Sequence, residues 1–251
     1  IVMIDSNYLD MTDETHHIAS ITPRATRVLS TILIVVFVSC VAWWSYHASS
    51  AQDFDTSLFL KALAVGMLAQ LVDGALGMAY GITSNTLLLF LGFSPVAATS
   101  TVHVAEAFTT AASGLSHWRL GNIDKRIFKR IVIPGIVGGV CGVLLVTSID
   151  GKILRPWVSA YLLLMGLYII YRAFYVFRRK VAFDNRFIPI ALTGGFVDSV
   201  GGGGWGPVVT TTLIGSGHEP RTTIGSVNAA EFFLTLSISI TFLIGLGWQA
   251  F

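Results

Sequence analysis

The sequence predicts an all-α polytopic membrane protein in which inverted-topology repeats carry broken or re-entrant helices that meet near the midplane. Three observations predict it: a composition too apolar for water, apolar stretches of spanning length, and a self-similarity at a spacing of 125 residues. Of 251 residues, 53% are hydrophobic and only 12% are charged. Mean hydropathy is +0.72, whereas soluble domains carry about 25% charged residues. Sixteen Lys and Arg against 14 Asp and Glu leave a net charge of +2, so there is no basic excess of the kind nucleic acid would need, and the bilayer is the expected surrounding. Cys40 and Cys141 lie in apolar runs without a CxxC or His/Cys cluster, so neither a disulfide framework nor a metal site is expected.

An apolar stretch of about 18 residues or more can cross a bilayer as a helix, and such stretches occur near 28–46, 95–116, 127–147, 154–173 and 220–245. Residues 1–27, with Asp5, Asp10, Asp13, Glu14, Arg24 and Arg27, read as a polar cytoplasmic tail. Residues 28–56 supply a first helix and an outer loop. A signal peptide ending at Ala48-Ser49-Ser50-Ala51 is the competing reading, but the region before the apolar run is too long and too acidic for one.

Two further apolar regions, 57–91 and 187–216, do not fit a single span. A continuous helix over the first would be about 52 Å long against a hydrocarbon core of about 30 Å. Helix-weakening residues also interrupt each one, Asp73-Gly74-Ala75-Leu76-Gly77 in the first and Asp198-Ser199-Val200-Gly201-Gly202-Gly203-Gly204 in the second. Both are therefore expected to run helix, break, helix.

Cytoplasmic loops collect Lys and Arg. The loop 118–130 holds five of them and 172–186 another five; with Arg24, Arg27 and Arg221 these put 13 of the 16 on one side. That bias predicts that 57–91 enters and returns on the outer side and 187–216 on the inner side, with the N-terminus in the cytoplasm of a multi-pass protein of the plasma (inner) membrane.

The two broken regions are copies. Setting residue n against n+125 without a gap gives 13 identities in the 39 positions from 72 to 110, among them Asp73/Asp198, Gly77/Gly202, Gly81/Gly206, Pro95/Pro220 and Glu106/Glu231. Tyr80 and Trp205 are aromatic in both copies. Three crossings lie between the copies, an odd number, so the second is expected upside down relative to the first, the architecture of secondary transporters. Repeat 1 then covers 57–181, a broken hairpin plus three crossings, and repeat 2 covers 182–251, a broken hairpin plus one crossing. The expectation is that the natural protein continues past Phe251 with about two more helices to complete the second copy.

A helix broken inside a membrane leaves backbone N–H groups without helical partners at the start of its second half, with the positive end of the dipole behind them, and such termini attract anions. The second halves begin near Gly81 and Gly206, with Gly77, Tyr80, Gly202, Gly203, Gly204 and Trp205 beside them. Tight packing of small residues is the competing account of these glycines. Asp73, Asp198, Glu106 and Glu231 fall in apolar stretches where charge is expensive, which makes them candidates for a proton path. For Asp73 and Asp198, each at an interruption, capping of the broken backbone is the favoured role. Ser100, Thr101 and His103 on one helix and Ser226 and Asn228 on the other precede the matched Glu residues, with His103 and Asn228 each three residues before theirs and so on one helix face with it. His103 beside Glu106 is also how a proton relay would read. Ser216 in Ile214-Gly215-Ser216-Gly217 lacks the surroundings of a hydrolase nucleophile, and no catalytic residue or enzyme activity is expected.

The pairing of Leu71-Val72-Asp73-Gly74-Ala75-Leu76-Gly77-Met78-Ala79-Tyr80-Gly81 with Gly202-Gly203-Gly204-Trp205-Gly206-Pro207, each followed by a Pro-led polar helix, resembles the sulfite exporter TauE/SafE family over roughly 57–245. The resemblance implies a permease for sulfite or a small organosulfonate such as sulfoacetate, linked to protons or another coupling ion. The small anion would lie between the two breaks, held without any cofactor. An anion channel of the same architecture and a non-transporting scaffold or sensor are the alternatives, and a homodimer is a compatible assembly.

Overall fold

The fold is that of a computed structural model, which describes residues 35, 39, 55–174 and 187–247. Residues 1–56 and 57–251 fall into two separate units, and the architecture below is that of the second. The expected first helix 28–46, the polar tail and the basic loop 172–186 lie almost wholly outside the described residues; of the helix, positions 35 and 39 are helical.

The described residues are helical, with no strand among them. The order is α1 Thr56–Leu76, α2 Tyr80–Phe90, α3 Pro95–Arg119, α4 Lys125–Thr147, α5 Gly151–Phe174 and α6 Phe187–Gly201. A π-helical turn Gly206–Thr210 then runs on into α7 Thr211–Gly215, and α8 is Pro220–Leu246. Four helices, α1, α4, α5 and α8, are long and apolar enough to cross a membrane. The chain is thus an all-α polytopic membrane protein.

Both apolar regions too long for one span are broken as expected. The interruptions come a few residues later than the Asp-Gly signals suggest, at 77–79 and 202–205. The last turns hold because the Asp73 carbonyl still accepts the Gly77 N–H at 2.6 Å and the Asp198 carbonyl that of Gly202 at 2.7 Å. Helix limits recur at the spacing of the sequence copies: α1 and α6 end at Leu76 and Gly201, α2 and α7 at Phe90 and Gly215, and α3 and α8 start at Pro95 and Pro220.

The long helices start on side-chain caps. Ser94 accepts the Ala97 N–H at 3.2 Å ahead of Pro95, Asp124 accepts that of Arg126 at 2.7 Å, and Glu219 accepts that of Thr222 at 2.7 Å ahead of Pro220. Such caps satisfy amides that the helix cannot. The expected crossing 95–116 forms as α3 but is not among the four helices long and apolar enough to cross a membrane. The physical reason is that one side of it is polar and buried: Thr99, Ser100, His103, Glu106 and Thr110 all face protein.

Glycines let α4 and α6 approach backbone to backbone. A Cβ on Gly138 would stand 2.9 Å from the Leu192 carbonyl carbon, and one on Gly195 2.9 Å from that of Gly135. Trp205 fills the core beyond, joined there by Ile131, Leu234, Ile238 and Phe242. On the outside, Met67, Leu71, Trp157, Leu163, Leu164 and Ile170 are exposed, as lipid-facing side chains of α1 and α5 should be.

Candidate functional site

The two breaks are built alike. Asp73 Oδ1 accepts the Tyr80 N–H at 3.2 Å, the first residue of α2. Asp198 Oδ1 accepts the N–H groups of Gly204 at 2.7 Å and Trp205 at 3.0 Å, where the second half-helix begins. Each Asp thus reaches from the last turn of one half-helix to the amides that open the next, the capping role favoured from sequence. Gly77 and Gly202 hold φ of +71° and +67°, a left-handed turn that glycine adopts without steric cost.

The breaks also touch each other. A Cβ on Gly81 would lie 2.7 Å from Gly203 Cα and 2.8 Å from Glu106 Oε1. Backbone meets backbone at this point only because neither residue has a side chain.

His103 bridges the two sequence copies. Its Nδ1 stands 2.8 Å from the Thr99 carbonyl oxygen and its Nε2 3.1 Å from Asp198 Oδ2, with the side chains 0% and 1% exposed. A carbonyl only accepts, so Nδ1 carries a hydrogen. Nε2 and Oδ2 then share a second hydrogen bond. The donor atoms of His103, Glu106 and Asp198 lie within 4.8 Å of one another. His103 and Asp198 spend their ring and carboxyl atoms on each other and on backbone, and Glu106 stands beside this bonded pair.

A cavity of about 250 Å³ opens beside the breaks. Gly77, Tyr80, Gly81, Gly203, Gly204, Gly206 and Asn228 line it, together with all four intramembrane carboxyl groups, Asp73, Glu106, Asp198 and Glu231. Glu106 is 4% exposed and its Oε2 has no hydrogen-bond partner.

The other expected site residues do not line the cavity. Ser100 donates to the Ala97 carbonyl at 3.1 Å, and Thr101 lies off the lining on the same helix. Ser226 accepts the Asp124 N–H at 2.7 Å, fastening the start of α4 to α8. Trp205 is fully buried, and its indole N–H donates to the Val227 carbonyl at 3.2 Å. Gly202 turns the chain without facing the space, a Cβ there meeting Asn85 at 2.6 Å. His103 lies one layer behind, bonded to Asp198.

Residues that the sequence did not single out complete the site. Asn85 Nδ2 donates to the Gly201 carbonyl at 2.5 Å and Tyr161 Oη to that of Gly203 at 2.7 Å, so α2 and α5 hold the second break. Gln70, Thr109, Thr110, Ser113 and His117 add polar lining. Asn85 could have been noticed as an amide inside an apolar run; Tyr161 carries no local signal.

A family profile described as Sulfite exporter TauE/SafE matches residues 62–251. The chain is 43% identical over 194 residues to the "Probable membrane transporter protein YtnM" of Bacillus subtilis (strain 168), an alignment covering 74% of this chain and 64% of that protein. The chain therefore spans less than two thirds of that relative's length. No solved structure matches it.

Proposed function

The chain belongs to the sulfite exporter TauE/SafE family, and from that premise we propose that it is a secondary transporter, not an enzyme, that moves a small sulfur-containing anion across the plasma membrane. The anion is sulfite or an organosulfonate such as sulfoacetate, carried by alternating access and coupled to protons. The observation that carries this reading is the meeting of two helix breaks, Gly81 against Gly203, beside a cavity that both breaks line. Half-helix N-termini supply oriented N–H groups and the positive end of a dipole to an anion, and glycine allows the close approach. The repeats are related by inversion in this reading, so that rocking one against the other exposes the cavity to each side in turn. Glu106, Glu231, Asp73, Asp198 and His103 are the groups able to carry protons with the anion.

Reconstituting the protein in liposomes and following labelled sulfite and sulfoacetate tests the reading. Saturable flux that is stimulated by anion on the opposite side is expected. Non-saturating flux without such stimulation means a channel, and no flux of any sulfur oxyanion removes the substrate assignment.

A further inference from the structure

The cavity poses an electrostatic problem for any anion. Asp73, Glu106, Asp198 and Glu231 line it and no Lys or Arg does among the described residues. Two unit charges about 4 Å apart repel by about 4 kcal/mol at an effective dielectric of about 20. An oxyanion entering beside several ionised carboxylates would lose more than backbone N–H groups return.

Two of the four carboxyl groups are committed. Asp73 accepts the amide that opens α2. Asp198 accepts two amides through Oδ1 and is bonded to His103 through Oδ2, in a chain that runs from Thr99 to His103 to Asp198. Glu106 and Glu231 are different. They occupy the same place in the two sequence copies, both face the cavity, and Glu106 Oε2 is buried with nothing to bond to. The charged groups around Glu106 are Asp198, Glu231 and Asp73, with the Tyr80 hydroxyl also near and His103 within 4.8 Å, bonded to Asp198; those around Glu231 include Asp198 and Asp73, and His117 lines the same cavity. The carboxyl neighbours dominate, so a proton on each Glu removes a repulsion and presents an O–H donor to the oxyanion. Proton and anion binding then require each other.

On the reading that this cavity carries the anion, we propose that Glu106 and Glu231 each take one proton along with it, so that two protons accompany every anion and a dianion crosses without net charge. His103 and Asp198, bonded to each other and to backbone, set the geometry of the second break.

Sulfoacetate, a dianion at neutral pH, is the probe. Proteoliposomes of the protein are held at zero membrane potential, a pH difference of one unit is imposed, and the sulfoacetate gradient that stops net flux is found. Two protons per anion balance a gradient of about 100-fold and one proton about 10-fold. Wild type is expected at about 100-fold, with flux indifferent to an imposed potential of about 100 mV. Glu106→Gln and Glu231→Gln keep a neutral side chain of the same shape and lose the titrating proton. Each is expected at about 10-fold, with transport now sensitive to potential because one negative charge moves uncompensated. A wild-type ratio of about 10-fold, a gradient set by sodium instead of pH, or a Gln variant that still holds about 100-fold overturns the proposal. The wild-type ratio decides the stoichiometry even where a variant does not fold. Absence of any sulfur-oxyanion flux overturns the transport reading and this proposal together, whereas flux at another ratio overturns this proposal alone.

Discussion

His103 Nε2 stands 3.1 Å from Asp198 Oδ2, and the contact ties α3, in the first sequence copy, to the broken helix of the second with both side chains buried. Removing one member of a buried pair costs about 3–5 kcal/mol because the other is left without compensation. Asp198→Ala and His103→Ala are therefore expected to lower thermal stability in detergent strongly. Asp198→Asn should be mild. Its Oδ1 still accepts the Gly204 and Trp205 N–H groups, and its amide donates to Nε2 while Nδ1 donates to Thr99. Equal losses for the Asn and Ala variants would show that the hydrogen bonds are not what holds this point.

Ala79 sits in the first break at φ +111°, the one non-glycine residue with positive φ among those described. A side chain there stores about 1–3 kcal/mol of backbone strain, while the greater freedom of glycine in the unfolded chain costs folding about 0.5–1 kcal/mol. Ala79→Gly is accordingly expected to stabilise the protein by about 1 kcal/mol, read as a higher melting temperature in detergent. The matched position in the other copy is already glycine, Gly204. A lower melting temperature would mean that the Ala79 methyl packs better than its backbone strains.

The different treatment of these breaks marks what a sequence conveys. Composition and hydropathy place the long helices, because burial in lipid demands long apolar runs whatever the tertiary contacts. The 125-residue spacing locates both breaks, because an Asp, a left-handed glycine and a Pro-led helix recur in the same order. Which polar residues face the cavity was only partly legible. Ser100 and Ser226 look like ligands in the sequence, yet neither lines the cavity: Ser100 bonds back to the Ala97 carbonyl of its own helix and Ser226 ties α8 to the start of α4. Tyr161 was invisible because its role depends on α5 arriving beside Gly203, a contact 42 residues distant in the chain.

The close approach of α4 and α6 predicts a contrast between glycines. Gly195→Ala would set a Cβ 2.9 Å from the Gly135 carbonyl carbon and 3.1 Å from its Cα, where only backbone movement can make room. Overpacking of this kind costs about 1–3 kcal/mol. Gly166 lies in α5 with nothing within 4 Å of such a Cβ, so Gly166→Ala gains helix propensity, up to about 1 kcal/mol. Opposite shifts in melting temperature are expected, and equal shifts would refute the packing account.

Glu219 caps α8, its Oε1 accepting the Arg221 N–H at 3.0 Å and its Oε2 the Thr222 N–H at 2.7 Å and hydroxyl at 2.8 Å. The Thr222 amide, then that of Arg221, hold the carboxyl below its ordinary 4.5. Near that pH the unfolded chain binds more protons than the folded one, so stability rises with pH there. The contribution is complete above 4.5 and disappears as pH falls through the lower, folded-state value. Glu219→Gln removes the titrating group at this exposed site. The stability difference between wild type and Glu219→Gln should therefore be constant near neutral pH and shrink as pH falls below about 4.5. The matched cap of α3 is Ser94, which does not titrate, so Ser94→Ala should shift stability by the same amount at every pH. A Glu219→Gln difference that stays constant down to about pH 3 would show that the cap acts as a hydrogen-bond acceptor alone and not through its charge.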